Sequence, residues 1–120
     1  MNPEIYIGYT QEEQENYLKE QGKTPEQFQK ECVERITQFC QERAGRIASC
    51  GLSMPLGKLQ VIIGMPGRWD DPFADEVTEL DLELFHTGWN TSVMQLPLNP
   101  SRETLLDFAR FVAHHEKTND

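Results

Sequence analysis

Seven carboxylates, Asp70, Asp71, Asp75, Glu76, Glu79, Asp81 and Glu83, fall within fourteen consecutive positions. Only two basic residues, Lys58 and Arg68, stand against them in positions 51–100. Three chemistries compete for such a run. A charged loop and sheet face keeps a protein soluble and discourages edge-to-edge pairing. A patch of one sign also steers a partner of the opposite sign and speeds encounter. Aromatic anchors inside a charged rim supply affinity, and Trp69 and Phe73 stand in that position. Finally, carboxylates on one face can hold a hard cation, which prefers oxygen ligands. Glu79, Asp81 and Glu83 read as alternate residues of a strand, at steps of roughly 7 Å. Their spacing does not match a calcium-binding EF-hand loop.

Other reactive residue types are sparse. His86, His114 and His115 lack the Cys/His spacing of a zinc site. Cys32, Cys40 and Cys50 are odd in number and form no C-x-x-C. Free thiols in a reducing compartment are the economical reading, with Cys32 and Cys40 packed on one helix face as small hydrophobes. Gly64-Met65-Pro66-Gly67-Arg68 follows a strand-like run but matches no phosphate-loop spacing, and the carboxylates after it would repel phosphate.

Composition narrows the classes further. The chain has 120 residues and a net charge of −9, the size of one domain. Nucleic-acid binding depends on Lys and Arg displacing counterions from phosphates, and docking on anionic lipid needs the same cations. Both partners are therefore disfavoured. No apolar run approaches the roughly 20 residues that a membrane-spanning helix needs. The start, Met1-Asn2-Pro3-Glu4, has no signal-peptide pattern. The expectation is a cytoplasmic single domain, residues 1–120, without a cofactor.

The elements that must position these residues follow from caps and periodicity. Ile5, Ile7 and Tyr9 alternate, as in a short strand or an extended arm. Thr10 and Glu13 form a capping box for a helix that Gly22 stops. Its only apolar residues are Tyr17 and Leu18, so it is expected on the surface. Thr24-Pro25-Glu26-Gln27 opens a second, longer helix. Its stripe is Phe28, Cys32, Ile36, Phe39, Cys40, Arg43 and Ile47. The helix could end at Gly45 or near Ser49, and residues 46–52 could instead be a strand. Lys58–Gly64 is a β-branched run that reads as a central strand. Residues 64–76 read as a loop. Thr78–His86 alternates Leu80, Leu82 and Leu84 with charged residues, the period of a half-buried strand. Thr87-Gly88 then allows a tight turn to an antiparallel strand, Trp89–Leu96. Asn99-Pro100 caps a last helix with Leu105, Phe108, Ala109 and Val112 inward.

The resulting expectation is an α+β fold. A three- or four-stranded antiparallel sheet is packed on one face by the long second helix and the C-terminal helix, beside a short N-terminal surface helix. The functional expectation is a non-enzymatic acidic module that docks a protein with a basic surface, in the class of inhibitors, immunity-type neutralisers and assembly or secretion chaperones. Its expected contact set is Arg68, Trp69, Asp70, Asp71, Phe73, Glu79, Asp81 and Glu83. The alternative is a divalent-cation-dependent enzyme or ligand-binding domain that uses the acidic strand face. A homodimer through a sheet edge, or through Leu106 and Phe111 beside the last helix's main stripe, is a third option.

Overall fold

Two segments adjacent in the chain are buried along their whole length: Ser49–Ser53 and Leu59–Gly64. A strand hidden on both faces needs cover on both. The computed structural model describes residues 2–118, with side chains to residue 115, and supplies that cover from helices on opposite sides. The strands are β1 (Glu4–Ile7), β2 (Ser49–Ser53), β3 (Leu59–Gly64) and β4 (Thr91–Leu96). The helices are α1 (Gln11–Gln21), α2 (Pro25–Gln27), α3 (Glu34–Glu42), α4 (Asp71–His86) and α5 (Arg102–Thr118). A π-helical stretch, Phe28–Val33, joins α2 to α3, so 25–42 runs as one helical rod.

The sheet order is β1-β2-β3-β4. β1 pairs parallel to β2, β2 antiparallel to β3, and β3 parallel to β4. The α+β class stands; the all-antiparallel sheet does not. Each parallel pair is joined by helices, because a parallel return needs a long crossover. Pairing Cys50 with Ile63, and Val61 with both Leu52 and Val93, puts these residues on one face, where Phe28, Ile36, Phe39, Phe73 and Leu80 close the larger core. Ile62 and Met94 face the other way, onto Leu105 and Ala109 of α5. The C-terminal helix therefore covers the face opposite the long helix, correcting the one-sided packing expected from sequence. Small residues in the central strands permit this approach. A Cβ on Gly51 would meet Leu105 Cβ at 3.1 Å, and one on Gly64 would meet Ser49 Oγ at 2.6 Å and Pro100 Cγ at 3.1 Å.

The largest correction lies at 71–86, which is helix rather than strand. Asp70 caps it, accepting from the Phe73 N–H at 3.1 Å, and Pro72 sits in the first turn where its missing N–H costs nothing. Its buried residues are Phe73, Val77, Leu80 and Leu84, spaced four, three and four apart. Leu82, expected inward, is 51% exposed. Thr87-Gly88 closes the helix instead of a hairpin. Gly88 takes φ +94°, its N–H bonds to Phe85 O, and the Trp89 N–H bonds to Leu84 O at 3.0 Å. This is a Schellman stop. Both N-terminal capping boxes form as expected, but α1 is better anchored than its composition suggests: Tyr17 and Leu18 are both buried, and the Tyr17 hydroxyl donates to Asn90 O at 3.0 Å. The long helix stops at Glu42, and residues 49–53 are strand.

Gly64→Val should lower unfolding free energy by about 1–3 kcal/mol, the usual cost of forcing extra methyls into a filled core. Urea unfolding measures it; a change within the noise would mean that α5 and its loop do not press on the sheet as described.

Candidate functional site

The expected contact residues do not stay together. Phe73 is fully buried, with its ring 6.2 Å from Phe39 and the Arg46 guanidinium 4.7 Å above it. It is a core residue, not an anchor. Asp81 parts from Glu79 and Glu83, because on a helix alternate residues diverge by about 200°, while Glu79 and Glu83, one turn apart, stay on one side. Glu83 turns toward α3 and pairs with Arg35. Glu76 lies on the same flank, held by Arg43 Nε at 2.9 Å and Arg46 Nη2 at 2.7 Å. Asp70 is occupied as the helix cap, with Arg46 at 3.9 Å. Asp81 lies on the opposite flank and accepts the Val93 N–H at 3.2 Å. Part of the acidic run is thus internal mortar between α4 and its neighbours. Asp71, Asp75 and Glu79 face solvent. Among the described residues no group of three or more Asp, Glu, His or Cys side chains is arranged to hold a metal ion. The acidic strand face that the cation reading required is not formed.

What the fold does assemble is a cleft of about 440 Å³ along the outer edge of β4. Ala74, Val77 and Thr78 of α4 form one wall, Phe108 of α5 the other, and Val93 to Pro97 the floor. Trp69 stands at its end, 53% exposed, with its indole N–H on Asp71 Oδ1 at 2.6 Å. Arg68 is exposed beside it. The Trp69 loop is clipped to the next one by Leu98 N–H→Gly67 O at 2.8 Å and Asn99 N–H→Met65 O at 2.7 Å. Leu98 and Asn99 both take left-handed backbone, φ 69° and 49°; leucine rarely does so without strain. Gln95, nearly fully buried in the cleft floor, donates from Nε2 to Asp70 O at 3.4 Å, while its Oε1 has no hydrogen-bond partner.

The reactive side chains are quiet. Cys32, Cys40 and Cys50 are free and buried. Burial pushes the Cys32 thiol up to about 12, and the Cys50 thiol, hydrogen-bonded to Cys40, is raised as well. Such thiols are poor nucleophiles. His86, the last residue of the segment that reads as strand, is exposed in the last turn of α4. Leu106 is buried beside Gly8 and is not an apolar flank, whereas Phe111 is exposed. The sequence does not reveal the cleft because its α4 wall spans a segment that reads as loop to residue 76 and as strand from Thr78. Asp70-Asp71-Pro72, followed by Phe73, Val77, Leu80 and Leu84, carried the helical signal. No family model, curated protein or solved structure matches this chain.

Phe73→Ala should cost about 3–5 kcal/mol, while Trp69→Ala should cost less than about 1 kcal/mol. Urea unfolding of both variants checks this; similar small losses would return Phe73 to the surface. Glu76 gives a pH test. Partial burial pushes its carboxyl up, but hydrogen bonds and charge from Arg43 and Arg46 outweigh that and leave it below the usual 4.5. A lowered native value means stability that is present above the unfolded value and lost as pH falls through the native one. The stability gap between the wild type and Glu76→Gln should therefore shrink in acid below 4.5; a constant gap across that range would contradict the pairing.

Proposed function

We propose that this protein is a non-enzymatic binding module that docks a partner protein with a basic surface at the Trp69 end of the β4 cleft. One observation carries the reading: an exposed tryptophan stands at the mouth of an apolar cleft beside a helix that turns Asp71, Asp75 and Glu79 to solvent and carries no lysine or arginine. Large aromatics in such positions act as anchors, and the surrounding charge selects and steers the partner. The contact set is Arg68, Trp69, Asp71, Asp75 and Glu79, with Asp81 at the strand edge. Asp70 and Phe73 support it from beneath, and Glu83 lies outside it. Buried free thiols suit a reducing compartment such as the cytoplasm. No helix among the described residues is long and apolar enough to cross a membrane.

The probe is a synthetic strand-length peptide alternating valine and lysine, with a valine–glutamate counterpart as control. The lysine peptide should bind more tightly at low salt than at high salt, and the glutamate peptide should not bind. Reversing Asp71 and Asp75 together to lysine should slow association by roughly tenfold at low salt and flatten its salt dependence. Association kinetics unchanged by that double substitution would remove the proposal.

A further inference from the structure

Leu59 donates to Asn90 O at 3.1 Å and Met65 donates to Leu96 O at 3.0 Å. These two bonds fix the orientation of β4. Residues 90, 92, 94 and 96 turn their backbone groups toward β3, so Thr91, Val93 and Gln95 turn theirs outward. β4 ends the sheet. Among the described residues its outward carbonyls and the Thr91 and Gln95 N–H groups have no partner strand, and the Val93 N–H is taken by Asp81. The cleft lies along the Val93 and Gln95 part of this row. Two buried side-chain oxygens of the same outward residues, Thr91 Oγ1 and Gln95 Oε1, also lack partners.

We propose that the partner enters as an extended segment that adds a fifth strand to β4, with an apolar side chain seated between Val77 and Phe108 and basic residues flanking it. The inference rests on the docking reading above and names its mode. A row of backbone donors and acceptors at the strand repeat fits another extended backbone, and the alternating side-chain pockets give selectivity. Gln95 Oε1, buried in the cleft floor, is an acceptor without a partner beside this row. The charge of α4 selects lysine or arginine at the outer positions. A second copy fits poorly. Antiparallel β4–β4 pairing places the two α4 helices side by side on one face of the joined sheet, acids against acids, in chains of net charge −9. Pro97 has no N–H and ends the usable edge.

The test uses the full chain, isotope-labelled for NMR, and the valine–lysine peptide. Binding should perturb and protect the Thr91 and Gln95 amides. N-methylating the peptide at every second residue should weaken binding by about tenfold or more in one phase and far less in the other, since alternate amides alone face β4. Equal sensitivity in both phases, or none, with perturbations confined to Asp71, Asp75 and Glu79, would overturn strand addition while leaving charge-guided docking intact. No binding of the lysine peptide at all would overturn both. Sedimentation showing a dimer with protected Thr91 and Gln95 amides before peptide is added would overturn the proposal in favour of a second copy.

Discussion

The complete burial of the β2–β3 hairpin is the constraint from which the architecture follows. Neither face of Ser49–Ser53 or Leu59–Gly64 meets water, so both need helical cover. α1, the long helical rod and α4 take one face, and α5 takes the other. Serine and glycine at 49, 51, 53 and 64 let α5 lie close on its side. Leucine, valine and isoleucine at 52, 61 and 63 receive the bulkier aromatic layer on the other. The outer strands are then left as rims. At the β4 rim the two helical layers stand apart, and the gap between them is the cleft.

The acidic run is better understood as two populations on one helix. Glu76 and Glu83 face α3, where Arg35, Arg43 and Arg46 neutralise them. Arg43 and Arg46 also lie over the Phe39 and Phe73 rings, 3.9 Å and 4.7 Å from the centroids, so the same cations seal the end of the core. Partly exposed pairs of this kind each contribute modestly, and their value lies in fixing how α4 sits. Once α4 is fixed, Asp71, Asp75 and Glu79 are presented outward and Asp81 is aimed at the sheet edge. The internal ion pairs thus set which carboxylates the helix turns outward.

Much of the fold could be read from local signals. The capping boxes at Thr10 and Thr24, the stop at Gly22 and the apolar stripe from Phe28 to Cys40 are short-range patterns, and each formed. The β3 run was equally legible from its β-branched residues. The failure at 78–86 was a conflict of periods: Leu80, Leu82 and Leu84 alternate, but only Leu80 and Leu84 are inward, and they belong to a helical row that starts at Phe73. The strand directions then went wrong with it, since a helix between β3 and β4 makes a parallel return natural. Of the site, Trp69 was legible as an exposed aromatic in a Pro/Gly loop. Gln95 was not, because its role depends on which way an edge strand turns its amides, and that is set by pairing far away in sequence.

The open β4 edge is the central claim, and site-resolved amide hydrogen exchange on the full chain alone tests it most directly. An edge strand without a neighbour predicts alternation. Ser92, Met94 and Leu96 should exchange slowly through their bonds to β3, and Thr91 and Gln95 should exchange much faster, with Val93 between them through its bond to Asp81. Uniform slow exchange across 91–96 would show that the edge is already covered, and would contradict the account.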